Sequence, residues 1–110
     1  MLGADEQTEA WKAVTKSVHA AGGKIYCQLW HMGRAGHSDC FAAPPLAPSA
    51  LPLEGEVTAT NHEKKPYETP EAFTLEQIQT TVEDYRKAAA NAMTAGFDGC
   101  QCAPTLRFQL

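Results

Sequence analysis

No stretch of this chain approaches the roughly 20 apolar residues that a membrane-spanning helix requires, so a membrane is not among the expected partners. Basic patches are missing too. Nine Lys and Arg stand against 13 Asp and Glu, giving a net charge of -4 and a pI near 5.5. Lys64-Lys65 is only a pair and reads as solvated, which excludes the basic footprint that nucleic-acid binding needs. The opening, Met1 to Gln7, has neither the basic end nor the apolar core of a secretory signal, so a cytoplasmic location is expected. The four cysteines lack the two-residue spacing of a redox motif, since Cys100 and Cys102 are separated by a single residue. Without a secretory signal, disulfides are not expected. Cys27, Cys100 and Cys102 stand in strand-like apolar contexts, where a thiol serves as a small hydrophobe. His31, His37 and Cys40 match no zinc spacing and lack an obvious fourth ligand, so no metal is expected.

What is present suits a single small globular domain. The chain has 110 residues, 44% hydrophobic and 20% charged, an ordinary balance for a folded protein. Two similar units can be read along it. In the first, a helix over 5–21 starts at Asp5 as N-cap and carries Trp11, Val14, Val18 and Ala21 as a stripe. Gly22-Gly23 stops it, and a strand over 24–30 follows at once. In the second, Thr74 and Gln77 form a capping-box pattern at the head of a helix over 74–95. Leu75, Ile78, Val82, Tyr85, Ala89 and Ala92 mark its apolar face. Gly96 ends it, Phe97 is placed to pack back over its last turn, and a short strand over 100–102 is closed by Pro104. Helix then strand, twice, with tight connections, predicts an α/β fold with a parallel sheet.

Between the units, 32–73 holds six of the seven prolines and no convincing periodicity. A connection of that length is usually functional or disordered. Pro44-Pro45, Pro48 and Pro52 suggest an extended, stiff path. In a barrel it would be a strand-to-helix loop, either on the side where such folds build active sites or a plain surface cover.

The most informative run is Lys24-Ile25-Tyr26-Cys27-Gln28-Leu29-Trp30-His31-Met32-Gly33-Arg34. Strand geometry puts Tyr26, Gln28 and Trp30 on one face and Ile25, Cys27 and Leu29 on the other. An amide and an indole on one face are either core groups satisfied locally or parts of a ligand site. This run, with its CQLWHMGR signature, resembles the third strand of the Old Yellow Enzyme family of FMN-dependent NAD(P)H oxidoreductases. The resemblance extends to Glu-Gln-Thr-Glu-Ala-Trp in the first helix, Val-His-Ala-Ala-Gly-Gly at its end, the Ala-Pro-Ser run, Tyr-Glu-Thr-Pro, and Ala-Gly-Phe-Asp-Gly before the second strand. Five segments in the same order are specific where any one would be weak.

The resemblance implies a partial (β/α)8 TIM barrel, about a quarter of one, running from the second helix through the fourth strand. It implies FMN across the strand ends, NAD(P)H as reductant and a small electron-poor alkene as substrate. Gln28 is then the group that hydrogen-bonds the flavin's pyrimidine edge, since a carboxamide offers a donor and an acceptor side by side. Trp30 lines the substrate side, while His31 and Arg34 carry little functional weight. Where the family continues with a histidine, an asparagine or second histidine, and a tyrosine, this chain has Ala103, Leu106 and Phe108. None of these side chains donates a hydrogen bond, and the break is as abrupt as a shifted reading frame would make it. No catalytic residue is therefore assigned, and the chain alone is expected to be inactive. The alternatives are a non-catalytic truncated fragment and an interaction partner of a full-length barrel, recruited through open strand edges.

Barrel strands are buried on both faces, so Tyr26, Leu29 and Trp30 are expected to be wetted in an isolated segment. Each such side chain forfeits roughly 1.5–3 kcal/mol, against a domain stability of about 5–15 kcal/mol. Weak folding, or folding on a partner, is the expected behaviour. A sharp cooperative melt of dilute monomer, followed by circular dichroism, is the outcome that contradicts it.

Overall fold

A computed structural model describes residues 3–103. In chain order these form α1 (Asp5–Ala20), β1 (Tyr26–Trp30), a 3-10 turn (Gly33–Ala35), α2 (Ser38–Phe41), β2 (Leu46–Ala47), β3 (Glu56–Thr58), β4 (Lys64–Pro66), β5 (Glu71–Ala72), α3 (Leu75–Thr94) and β6 (Gly99–Ala103). They divide into two compact units, one of residues up to 30 with 79–103 and one of 31–78. Among the described residues no helix is long and apolar enough to cross a membrane.

The first unit is built on a parallel pair. β1 and β6 run side by side with Tyr26 opposite Gly99, Cys27 opposite Cys100, Gln28 opposite Gln101, Leu29 opposite Cys102 and Trp30 opposite Ala103. Both helices that feed these strands stop in the same way. After α1, Gly22 takes a φ of 78°, its N–H donates to the His19 carbonyl, and the Gly23 N–H donates to Val18 at 3.0 Å. After α3, Gly96 takes a φ of 89°, and the Phe97 N–H reaches back to the Ala92 carbonyl at 3.1 Å. Each is a Schellman ending, in which a left-handed glycine lets two orphan carbonyls be satisfied. Thr74 and Gln77 make the reciprocal capping box at the start of α3: each side chain accepts from the other's N–H, at 2.9 and 3.1 Å.

The start of α1 differs from the sequence expectation. Its N-cap is Ala4, with extended backbone, and Asp5 lies one place inside the helix. The Gln7 side chain reaches back to accept the N–H groups of Gly3 and Ala4 at 3.2 and 3.4 Å. Asp5 and Glu6 then sit in the first turn, where negative charge suits the helix dipole.

The core of this unit is Leu29 with Ala88, Ala92, Ala95 and Phe97, and Ile25, Cys27, Tyr85 and Ala89 pack against it. Leu29 is 1% exposed, against the expectation that it would be wetted, because it faces α3 rather than the open side of the strand pair. Only the later part of the predicted α3 stripe is covered. Leu75, Ile78 and Val82 remain exposed. Length explains this: five strand residues span about 17 Å, while a 20-residue helix spans about 30 Å.

The stripe predicted on α1 is also only partly used. Trp11 and Val14 stay substantially exposed, and the buried positions are Thr8 and Thr15. Trp11 rests its ring on Phe97, with centroids 5.4 Å apart. Thr15 Oγ1 donates to the Ala95 carbonyl at 2.6 Å in a buried contact. A Cβ on Gly96 would stand 3.0 Å from that oxygen, so glycine there serves the close approach as well as the turn. A small hydroxyl thus replaces bulk where α1 meets the end of α3.

Asp98 ties this unit together. Its carboxylate accepts from the Ile25 N–H at 2.9 Å, His19 Nε2 at 2.8 Å and Lys24 Nζ at 3.1 Å. Its own N–H donates to the Ile25 carbonyl at 2.9 Å. The bond from Ile25, followed by those from His19 and Lys24, holds its pKa far below the usual aspartate range.

The second unit shows local structure within the long Pro-rich connection read over 32–73. It contains the 3-10 turn, α2 and two strand pairs, β2 parallel to β5 and β3 antiparallel to β4. Strands of two or three residues are too short to show a period, which is why the sequence pattern hides them. Polar side chains hold the segment instead of an apolar stripe. Arg34, 4% exposed, donates to the Leu51 carbonyl at 2.9 Å and to Ser49 Oγ at 3.0 Å. The Glu68 carboxylate accepts from the backbone and hydroxyl of Ser38, which lowers its pKa, and Lys65 pairs with Asp39. Pro66 is tolerated in β4 because that strand pairs on one side only among the described residues.

Two outcomes follow from these contacts. Thr15→Val leaves the Ala95 carbonyl without its donor and is expected to cost about 1–3 kcal/mol in urea titrations. Asp98 has a depressed native pKa, so its contribution is complete above the unfolded value of about 3.9 and is lost as pH falls below it. The urea midpoints of wild type and Asp98→Asn should therefore be furthest apart near neutrality and converge in acid. A gap that does not change with pH would contradict the assignment.

Candidate functional site

β1 shows its two faces clearly. Cys27 and Leu29 turn toward α3, while Tyr26, Gln28 and Trp30 occupy the opposite face and are exposed, Tyr26 by 67% and Trp30 by 45%. Register then adds a residue the sequence reading missed. Gln101 lies directly across from Gln28, and Gln28 Nε2 donates to Gln101 Oε1 at 3.1 Å. Each glutamine falls five positions after the last glycine of its helix stop, 28 from 23 and 101 from 96. Superposing the two helix-stop-strand units on those glycines would have exposed the pair.

The amide pair leaves useful chemistry unspent. With one N–H committed to Gln101, Gln28 retains its carbonyl as acceptor and a second N–H as donor. Gln101 retains both of its own N–H groups. Such a face can meet a flat polar edge that alternates N–H and C=O. Tyr26 and Trp30 flank it with aromatic surface. The Tyr26 ring lies across Gly99, where a Cβ would meet it at 2.9 Å. Ala103 stands opposite Trp30 and brings no hydrogen-bonding side chain. Leu106, Phe108 and Pro104 lie outside the described residues.

Cys27 packs against the core as expected, whereas Cys100 and Cys102 depart from that role. Cys100 and Cys102 are exposed and only Cys27 is partly covered. The core under α3 draws its strand residues from β1, so β6 is left bare. Burial, then the neighbouring Cys100, pushes the Cys27 pKa up.

His31, Arg34, His37 and Cys40 belong to the second unit. His31 Nδ1 accepts the Gly33 N–H at 3.0 Å, its ring lies 5.6 Å from that of Phe73, and burial lowers its pKa. His37 caps α2, accepting the Asp39 N–H at 3.2 Å. These side chains, with Arg34, order local turns. Among the described residues no group of three or more His, Cys, Asp or Glu side chains is placed to hold a metal ion.

Comparison with known proteins places the chain among relatives. The family model described as NADH:flavin oxidoreductase / NADH oxidase matches residues 1–103. The chain is 40% identical over 100 residues to 12-oxophytodienoate reductase 7 of Oryza sativa subsp. japonica, covering 87% of this chain and 25% of that protein. It is 40% identical over 97 residues to flavin oxidoreductase hxnT of Emericella nidulans, covering 86% and 24%. Among solved structures, the old yellow enzyme homologue from Zymomonas mobilis superposes with a TM-score of 0.88 at 44% identity, over 92% of this chain and 28% of that one. Morphinone reductase gives 0.83 at 41%, over 92% and 29%. The chain thus spans about a quarter of the length of the curated relatives it matches.

Proposed function

The chain belongs to the NADH:flavin oxidoreductase / NADH oxidase family, and we propose that it supplies one slice of a cytoplasmic, FMN-dependent oxidoreductase. Its fold is a partial α/β barrel of the old yellow enzyme type, and the family uses FMN with NAD(P)H as reductant. Under this proposal residues 1–110 are part of one FMN-binding (β/α)8 domain whose other segments complete the barrel.

The observation that carries the proposal is the exposed amide pair. Gln28 has a donor and an acceptor left to offer, which match the alternating edge of a flavin pyrimidine ring. Gln101 holds one N–H of Gln28, and so orients the amide before a ligand arrives. Trp30, at the same strand end, supplies a flat apolar wall for the substrate side and excludes water from it. When bound, FMN would carry hydride from NAD(P)H to an electron-poor alkene. The alkene's carbonyl would need preorganised donors. Ala103 is not one of them, so this chain alone is inactive in the proposal.

A second reading has its own support. Leu75, Val82, Met93 and Tyr26 are all exposed apolar or aromatic surface, and among the described residues β1 and β6 pair only with each other. A chain of this kind fits a non-catalytic partner of a complete barrel.

Flavin retention separates the two. Purified chain mixed with FMN and passed through gel filtration should keep a flavin absorbance band, and Gln28→Leu should weaken binding. The loss of hydrogen bonds worth about 1–3 kcal/mol corresponds to a factor of roughly 5–150. A chain that retains no flavin, yet co-purifies with a full-length homologue, supports the second reading instead.

A further inference from the structure

The β1–β6 pair has another face, which the flavin reading does not use. Cys27 stands directly across from Cys100, and Cys102 stands across from Leu29. These residues lie on the α3 side, opposite Gln28 and Gln101. Adjacent strands are about 4.8 Å apart, inside the roughly 4.4–6.8 Å between Cα atoms that a disulfide bridges. Partners in a parallel pair project their side chains the same way, so the two thiols share one side of the sheet. Their proximity is also electrostatic, since Cys100 is one cause of the raised Cys27 pKa. Cys102 competes poorly for Cys100, because two positions along an extended strand put Cα atoms about 6.6 Å apart, at the outer limit of a bridge. Cys40 belongs to the other unit.

The two thiols also differ in access. Cys100 is exposed, whereas Cys27 is partly covered by the core under α3. That asymmetry suits one thiol meeting an oxidant and the other resolving it.

We propose that Cys27 and Cys100 are a redox-active thiol pair, which a peroxide converts into a disulfide joining β1 to β6. The Cys100 thiol gives up its proton and its sulfur attacks one peroxide oxygen; the O–O bond breaks, and the departing hydroxide takes that proton, leaving a sulfenic acid and one water. Cys27 gives up its proton and attacks the Cys100 sulfur. The S–O bond breaks, and the departing hydroxide takes a proton to leave as a second water. Two thiols lose two electrons and two protons in all, and the peroxide becomes two waters. A dithiol reductant reverses the bond by two exchanges and is itself oxidised to a disulfide. The bridge ties positions 73 apart, 100 less 27, and fixes the register that sets Gln28 beside Gln101.

The test treats the fully reduced chain with equimolar hydrogen peroxide, in native buffer and in concentrated urea. Free thiols are then blocked and disulfides mapped by mass spectrometry without reduction. In native buffer the Cys27–Cys100 linkage should dominate. In urea the short Cys100–Cys102 loop should take over, because a distant pair closes less readily in an unfolded chain. Cys102→Ser should keep the native linkage, and Cys27→Ser should leave Cys100 as a sulfenic acid trapped by dimedone. The same distribution in both solvents overturns the proposal. So does a dominant native linkage through Cys40 or Cys102, or between two chains.

Discussion

The Asp98 carboxylate accepts hydrogen bonds from the Ile25 backbone, His19 and Lys24, while its own N–H returns a bond to Ile25. One side chain therefore joins the end of α1, the entry to β1 and the entry to β6. The parallel register starts there, with Tyr26 opposite Gly99, and each later pair follows from it. A slip of one position would move every side chain of a strand to the other face. Gln28 would no longer meet Gln101, and Leu29 would leave the core. The electrostatics of one turn thus help decide which chemistry each face presents.

The two faces are built from different materials. Toward α3 the chain uses alanines at 88, 92 and 95, whose small side chains let the helix lie close over Leu29. On the other face it places an amide pair and two aromatic rings, open to solvent. Tyr26 and Trp30 are the large side chains this face leaves substantially exposed.

Much of the local structure is legible in the residues themselves. Gly22 and Gly96 stop their helices because only a residue tolerant of positive φ completes a Schellman turn, and Thr74 with Gln77 states its capping box outright. Asp5 misled because the extended backbone ends at Ala4, where Gln7 reaches back to the Gly3 and Ala4 N–H groups. Strand alternation separates Gln28 from Leu29, but it does not tell which face a helix will cover. That choice belongs to tertiary packing, and it is why Leu29 is buried while Cys100 and Cys102 are bare. The short strands of the second unit are silent in sequence for a related reason. The connections around them are held by Arg34, Ser38 and Glu68 acting on backbone and hydroxyl groups, which leave no apolar periodicity. Gln101 escaped notice because its meaning arises only from pairing with β1.

The bond between Gln28 and Gln101 has a consequence for selectivity. Each amide is already partly satisfied by the other, so neither is starved for a partner in water. A planar guest must match that local arrangement before it gains anything by displacing solvent. A uracil-like rim, with carbonyl and imide groups in alternation, can do so without disturbing the pair. A purely benzenoid plate of the same size cannot, however well it stacks on Trp30. Under the proposed flavin role the glutamine couple would act as a filter for heteroaromatic edges, set by the pairing of two strands before any guest is present.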